Sequence, residues 1–369
     1  MTEALRKTPL HGEHATADAK LVPFAGFEMP VQYPTGITVE HNAVRTVAGI
    51  FDVSHMGEFE VRGPEALDLV QYVTTNDASK LDVGQAQYST LPREDGTLLD
   101  DLIVYRLADR FMIVVNAANR QRDLAAISRA ADRFDAELSD RSDEIALLAL
   151  QGPRAAEVLQ PLCDVNLETI GYYRFAQGSV ADRSAIVSRT GYTGEDGFEI
   201  YLDADAAVHV WRAILAEGGD IGVVPAGLGA RDSLRLEVGY ALYGNDVDDT
   251  RTPYEAGLGW VTKLDKGDFV GADALRRIKD EGPAVRLVGF KLLQRGFPRP
   301  GYPITHEGEV FGTVTSGTLS PSLGIGIGMG YLPRHLAKPG TTIGITIRGT
   351  TIPAEVVRPP FYTEGSIRR

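Results

Sequence analysis

The chain has 369 residues, 37 of them basic and 50 acidic, so its formal net charge is −13. That balance disfavours nucleic acid as the main partner, although it leaves room for a local basic groove. A hydrophobic fraction of 43% is typical of a globular protein, and the length predicts about two or three domains. The single cysteine, Cys163, excludes an intramolecular disulfide, a CxxC redox pair and a multi-cysteine zinc site.

Neither a membrane span nor a secretory signal is predicted. The longest apolar stretches, such as residues 111–115 and 145–150, are far too short to cross a bilayer. The first ten residues hold Glu3, Arg6 and Lys7 and lack the apolar segment of a signal peptide. We therefore expect a protein of the reducing cytoplasm.

The first part of the chain alternates strands and helices. Residues 16–32, which contain Pro23, Gly26 and Pro30, predict an irregular packed loop. Residues 36–50 predict a helix, because apolar residues recur every three or four positions. Strands are predicted at 59–61, 87–90, 98–107 and 110–116, and helices at 65–73 and 120–134. This alternation favours a compact α+β unit over residues 51–141.

A second α+β region follows and then gives way to β-structure. The predicted elements are a strand at 145–150, a helix at 154–162, a hairpin of 185–190 with 197–202, and helices at 206–216 and 226–237. Beyond about residue 283 glycine and proline become dense and helices vanish, which predicts a small β-barrel or sandwich. The glycine run 324–330 fits no phosphate-binding spacing and precedes no helix, so we predict a strand there.

Two adjacent carboxylates, Asp100 and Asp101, interrupt the strand predicted at 98–107. Side chains alternate along a strand, so the two must point to opposite faces of the sheet. Because an ionised carboxylate without partners is costly to bury, at least one must face a polar cavity or accept hydrogen bonds. Two interpretations stay open: an aspartate that caps the turn after Gly96, or a carboxylate beside a cationic or proton-donating substrate.

The hairpin loop at 191–196 and the strand after it combine glycines with polar side chains. Glycine permits close backbone approach, but such a loop needs neither Tyr192 nor Glu199. A glycine-shaped turn and a ligand-facing hairpin both fit; in the second, Glu199 can accept two hydrogen bonds from an aminopyrimidine-like edge. Arg231 opposes the dipole at the start of the helix at 226–237. It therefore indicates either a surface ion pair or an anionic or electron-rich partner.

Signals for metal binding and nucleophilic catalysis are weak. His11 and His14 lack a further cluster of His or Cys, so no metal site is predicted. No serine lies in a GxSxG turn, and Cys163 has no paired histidine nearby, so a nucleophilic residue is not supported.

Taken in order, these segments resemble the T protein of the glycine cleavage system, a folate-dependent aminomethyltransferase, over nearly the whole chain. The resemblance rests on KTPL at 7–10, FAGFEMP at 24–30, GIFDVSHMGE at 49–58, TND at 75–77, LDDLIVY at 99–105, VNA at 115–117, QGP at 151–153, SRTGYTGEDGFE at 188–199, AGLGARDSLRLE at 226–237, GLGW at 257–260, SG at 316–317 and SP at 320–321.

The resemblance implies an α+β fold with three domains around a central folate-binding channel. A discontinuous first domain would comprise residues 1–50 and 142–270, an inserted domain 51–141, and a C-terminal small β-barrel 283–369. It also implies a cytoplasmic transferase of glycine catabolism that needs no metal, nucleic acid or membrane. Such an enzyme takes the aminomethyl group from the dihydrolipoyl arm of the H protein, releases ammonia and converts tetrahydrofolate to 5,10-methylenetetrahydrofolate.

The resemblance also assigns site residues. Asp101 matches the family's catalytic carboxylate, which we expect to stay ionised, to orient the attacking nitrogen and to stabilise a developing cation. The folate pocket is matched by Met56, Tyr88, Tyr105, Asn116, Tyr172, Tyr192, Glu199, Arg231, Trp260 and, in the terminal segment, Arg369. Aromatic rings and Met56 would provide flat apolar walls for the pterin.

Two other functions stay open at this point. One is a folate-dependent demethylase of a small methylated amine or sulfonium compound, and the other is a non-catalytic folate-binding factor for iron–sulfur assembly. The family's H protein is acidic, so docking on a chain of net charge −13 requires a local basic patch. Lys291, Arg295 and Arg299 are candidates for that patch, unless they form ordinary surface ion pairs.

Overall fold

The computed structural model describes residues 4–367, and its elements are numbered in chain order. The helices are α1 (His11–Thr16), α2 (Ile37–Thr46), α3 (Ala66–Val73), α4 (Arg120–Ala131), α5 (Ala155–Leu159), α6 (Ala207–Gly218), α7 (Leu228–Glu237) and α8 (Ala272–Glu281). The strands are β1 (Lys20–Phe24), β2 (Phe27–Gln32), β3 (Gly49–Asp52), β4 (Gly57–Arg62), β5 (Gln85–Pro92), β6 (Leu98–Arg106), β7 (Phe111–Val115), β8 (Glu137–Asp140), β9 (Ile145–Gln151), β10 (Phe175–Val180), β11 (Arg183–Ser188), β12 (Gly197–Asp203), β13 (Val224–Pro225), β14 (Val285–Leu292), β15 (Pro303–His306), β16 (Glu309–Leu319), β17 (Gly326–Pro333), β18 (Thr342–Ile347) and β19 (Thr350–Val357).

Besides the two-stranded sheet of β1 and β2, the described residues form two open sheets, and the larger of them has six strands in the order β10-β11-β12-β9-β3-β13. One face packs against α5 and α6, where Val210, Trp211 and Ile214 recur at helical spacing and are buried. Burying each such side chain stabilises the fold by about 1.5–3 kcal/mol. The sheet is discontinuous in sequence, because β3 and β9 are neighbours but are separated by the whole inserted region.

The inserted region forms a five-stranded antiparallel sheet in the order β5-β6-β7-β4-β8. Its outer face is covered by α3 and α4, with Leu69 and Ile127 fully buried. Its inner face turns toward the larger sheet, and Tyr105 from one sheet packs on Tyr201 from the other. Because β3 already belongs to the larger sheet, the inserted sheet begins with β4 and not at residue 51.

Strands β14 to β19 close into a barrel in the order β14-β17-β16-β15-β18-β19. The predicted α+β class with a C-terminal barrel is therefore confirmed. Residues 326–330 of the glycine run lie in β17, as predicted, and Gly324 lies in the turn before it. A Cβ at Gly328 would come within 2.4 Å of the Phe290 ring, and one at Gly330 within 2.5 Å of Ile304. These glycines leave room for the large side chains that fill the barrel.

Two predictions near the start of the chain were wrong. Residues 16–32 contain the hairpin of β1 and β2 and not an irregular loop, because Ala25 and Gly26 adopt the positive φ angles of a two-residue turn. The helix predicted at 36–50 ends at Thr46, and Gly49 begins β3 because its backbone pairs with Gln151 of β9.

The part of the chain that the structure describes contains neither a membrane-spanning helix nor a cluster of metal-ligating side chains. No helix there is long and apolar enough to cross a membrane. Within the same residues, no three or more His, Cys, Asp or Glu side chains are grouped so that they could hold a metal ion.

Candidate functional site

Asp101 lies on the inner face of the inserted sheet, which is turned toward the larger sheet. Alternation along β6 places it on the same side as Tyr105, whereas Asp100 points the other way, under α4. The Tyr88 hydroxyl donates to Asp101 Oδ2 at 2.7 Å, and the Asn116 amide donates to Oδ1 at 2.8 Å. Both donors are neutral, and no cation in residues 4–367 forms an ion pair with Asp101.

The environment of Asp101 makes its carboxyl group weakly acidic. Burial raises the pKa of Asp101 to about 7, and the neighbouring charge of Asp100 acts in the same direction. The hydrogen bonds from Tyr88 and Asn116 favour the ionised form but are outweighed. A carboxyl group with a pKa near neutrality can accept and release a proton at working pH. This differs from the expectation of a permanently ionised carboxylate.

Glu199 of β12 faces the same interior from the larger sheet. It accepts a hydrogen bond from the Thr190 hydroxyl, and the charge of Arg231 acts on it. The Arg231 guanidinium lies 4.6 Å from the centre of the Tyr192 ring. Burial raises the pKa of Glu199 and lowers that of Arg231, while the attraction between the two groups opposes both shifts. Glu199 and Arg231 therefore form an electrostatically matched pair.

Two stacked aromatic pairs border these charged groups. Tyr88 stacks on Trp260 with ring centres 6.1 Å apart and planes at 24°, and Trp260 is 62% exposed. Tyr192 stacks on Tyr240 at 5.7 Å and 27°, and its hydroxyl donates to the Ala241 carbonyl. Flat, partly exposed rings of this kind suit a planar ligand.

The predicted residues lie between the facing sides of the two sheets, in a region that we call the recess. Met56, Tyr88, Asp101, Asn116, Tyr192 and Arg231 each keep partial solvent exposure although protein surrounds them. The Tyr192 phenol is influenced by the charge of Asp101, and the Tyr173 phenol by both Asp101 and Glu199. The charges of the two carboxylates, which come from different sheets, thus both act on Tyr173.

Two predicted residues, Tyr105 and Tyr172, have other positions. Tyr105 is fully buried, with its hydroxyl 2.9 Å from that of Tyr201 and 3.2 Å from that of Thr190, so it supports the partner of Glu199 from the core. Tyr172 packs edge-on against Tyr173, with ring centres 4.9 Å apart. Arg369 lies outside the described residues.

Sequence reasoning missed Tyr173, Tyr240 and His55. Tyr173 has a positive φ of 57°, and the charges of both carboxylates act on its phenol. Its neighbour Tyr172 was predicted instead. His55 is buried, and its Nδ1 has no partner within residues 4–367. Burial and the charge of Arg231 lower the pKa of His55 to about 4. Its place inside the motif at 49–58 was the one available signal.

A separate groove of about 370 Å³ opens between the sheets and contains none of the predicted site residues. Its lining includes Arg62, Arg110 and Arg141. Arg110 and Arg62 form ion pairs with Glu60 at 2.8 Å and 3.1 Å. Arg141 forms an ion pair with Glu144 at 2.6 Å. Because these cations are already neutralised, the groove is a weaker candidate than the recess at Asp101.

Comparison with known proteins shows similarity over nearly the whole chain. A family model described as the GCVT N-terminal domain matches residues 10–266, and one described as the glycine cleavage T-protein C-terminal barrel domain matches residues 286–363. An aminomethyltransferase of Symbiobacterium thermophilum is 50% identical over 370 residues, covering 98% of each chain. One of Halothermothrix orenii is 49% identical, covering 97% of this chain and 100% of the relative. The crystal structure of glycine cleavage system aminomethyltransferase T from Bartonella henselae superposes with a TM-score of 0.93 at 38% identity, covering 99% of this chain and 100% of that one.

Proposed function

The chain belongs to the glycine cleavage T-protein family of aminomethyltransferases, and we propose that its recess receives tetrahydrofolate between Asp101 and Glu199. The donor is the aminomethyl group on the dihydrolipoyl arm of the H protein, in the cytoplasm. The methylene carbon leaves sulfur and nitrogen and joins the two folate nitrogens. The two N–H hydrogens of the folate end on the lipoyl thiol and on ammonia, so the reaction balances without an oxidant.

The donor set of the recess fits a reduced pterin. The pterin edge carries an amide N–H beside an amino group, and a carboxylate such as Glu199 can accept from both. The guanidinium of Arg231 suits the pterin carbonyl or the glutamate carboxylate of the folate. The stacked faces of Tyr192 and Tyr88 can cover the flat parts of the ligand.

Asp101 is the proposed catalytic residue. Its carboxylate is held in a fixed orientation by Tyr88 and Asn116. In its ionised form it can take a proton from the attacking nitrogen and stabilise positive charge that develops at the transferring carbon. Neither Tyr88 nor Asn116 brings a positive charge that would compete for this role.

The observation that carries the proposal is the placement of Asp101 and Glu199 on the facing sides of two sheets, where the charges of both act on the Tyr173 phenol. The test is ammonia release from aminomethylated H protein with and without tetrahydrofolate. We expect release only when both are present. Turnover of a small methylated amine without H protein would instead indicate a demethylase, and folate binding without turnover would indicate an assembly factor.

A basic patch on the barrel, made of Arg295 and Arg299, is the proposed docking site for the acidic H protein. Both arginines are exposed, and neither takes part in an ion pair within residues 4–367. Exposed Leu293 and Phe297 lie beside them in sequence, while Lys291 is partly buried. The double variant Arg295→Glu/Arg299→Glu should raise the KM for H protein and leave folate affinity unchanged; an unchanged KM would rule the patch out.

A further inference from the structure

Behind Asp101, on the opposite face of β6, lies a buried carboxyl pair that the proposed mechanism does not use. Asp100 has no solvent exposure. It accepts hydrogen bonds from the Asn116 backbone N–H at 3.0 Å, the Asn116 side-chain amide at 2.9 Å and the Asn119 side-chain amide at 2.6 Å. All three donors are neutral dipoles, so they stabilise the charge of Asp100 without cancelling it.

The second member of the pair is Asp123, which lies on α4 one turn after Asn119 and is also without solvent exposure. Neither of its carboxyl oxygens accepts a hydrogen bond from a donor group in residues 4–367. Its hydrogen-bonding neighbour is the carboxyl group of Asp100. Two carboxyl groups bond to one another only when one of them carries a proton, because two buried carboxylates repel.

The proton belongs on Asp123, because Asp100 has three donors and Asp123 has none of its own. In agreement with this, burial and the charge of Asp100 raise the pKa of Asp123 to about 11. A cation close by, Arg122, favours the ionised form of Asp123. However, its guanidinium donates to the Leu99 carbonyl at 2.5 Å and to the Tyr243 hydroxyl at 2.6 Å. It does not donate a hydrogen bond to either carboxyl oxygen of Asp123.

We infer that Asp123 is a protonated positioning residue: it donates its O–H to Asp100, so that the pair holds one negative charge and keeps the Asn116 amide on Asp101. The link is direct, because the same Asn116 Nδ2 lies 2.9 Å from Asp100 Oδ1 and 2.8 Å from Asp101 Oδ1. This inference rests on the proposed role of Asp101 in the transfer reaction.

After burial, the single charge on the pair is the main influence on the pH at which Asp101 loses its proton. The other groups that face Asp101 are Tyr88 on β5, Asn116 after β7, Tyr173 before β10 and Tyr192 before β12. Asn116 does not titrate, and burial raises the pKa of each of the three phenols above its ordinary value. Asp100 is therefore the charged group next to Asp101, and a second charge on Asp123 would raise the pKa of Asp101 further.

The first test compares the pH dependence of kcat/KM for Asp100→Asn and Asp123→Asn, with aminomethylated H protein and tetrahydrofolate as substrates. Asp100→Asn removes the charge, so we expect the acid-side midpoint to move down by about one pH unit. Asp123→Asn keeps a neutral donor to Asp100, so we expect the midpoint to stay within a few tenths of a pH unit. A large downward shift in Asp123→Asn, or none in Asp100→Asn, would overturn the inference.

A second measurement does not depend on activity or on the folding of Asp100→Asn. Infrared spectra of the wild-type protein at about pH 9, between the pKa values of Asp101 and Asp123, should contain the carbonyl band of a protonated carboxyl group. Asp123→Asn should lose that component, and an unchanged band would contradict the inference. Wild-type turnover in Asp101→Asn would instead overturn the proposed function, while leaving the band in place.

Discussion

Asp101 and Glu199 are both strand carboxylates whose pKa is raised by burial, yet their charged neighbours act on them in opposite directions. Asp101 has two neutral donors and a charged neighbour, Asp100, of the same sign, which helps to raise its pKa to about 7. Glu199 lies near the guanidinium of Arg231, which favours its ionised form. A like charge nearby raises the pKa of a carboxyl group and so favours proton transfer near neutral pH. An opposite charge lowers the pKa and so favours the ionised form that binds donor groups.

The substitution Asp101→Asn should separate the catalytic role of Asp101 from the binding role of Glu199 most clearly. The substitution keeps shape but removes the charge, so turnover should fall roughly 10²-fold or more while folate still binds. Single-turnover transfer of the methylene group and calorimetric titration with tetrahydrofolate measure the two effects separately. Wild-type turnover in this variant would end the assignment of Asp101 as the catalytic residue.

The opposite pattern is expected for Glu199→Gln. This variant loses a charged acceptor and leaves Arg231 without its anionic neighbour, so folate affinity should weaken roughly 10- to 100-fold. Turnover at saturating folate should change much less. Glu168→Gln, at an exposed surface position, is the matched control and should leave the folate Kd unchanged. A normal Kd in Glu199→Gln would remove this residue from the binding site.

The pH dependence of kcat/KM extends the comparison to protonation. Asp101 is protonated below its pKa of about 7, and we expect the ionised form to be active. Activity should therefore fall about tenfold per pH unit below that midpoint and become level above about pH 8. An acid-side midpoint near 4, the ordinary value for an aspartate, would contradict the raised pKa and show that burial and the charge of Asp100 are compensated at Asp101.

The smallest effect is expected at the exposed aromatic wall beside Asp101. Trp260→Leu keeps an apolar side chain but loses the flat face that stacks on Tyr88. Since such stacking contributes about 0.5–1.5 kcal/mol, the KM for folate should rise roughly 2- to 10-fold with kcat little changed. The melting temperature should not move, because Trp260 is 62% exposed. A loss as large as that of Glu199→Gln would mean that binding depends on stacking more than on charge.

Local geometry explains which parts of the site were predictable. Alternation along one strand was enough to expect that Asp100 and Asp101 face opposite sides, and the hairpin that carries Glu199 followed from two apolar runs around a glycine loop. Tyr240 and Asp123 were not predictable in this way. Tyr240 reaches Tyr192 through the packing of segments that are far apart in sequence, and nothing in the sequence distinguishes Asp123 from other acids in the first turn of a helix.

The pairing of β3 with β9 has a consequence for how the protein is made. These adjacent strands are separated by about ninety residues, so at about 5–20 residues per second β3 leaves the ribosome roughly 5–20 seconds before its neighbour is translated. The five strands from β4 to β8 find all their partners within that interval. The inserted sheet can therefore fold while the nascent chain is still growing, and the substrate recess forms only after β12 has been synthesised.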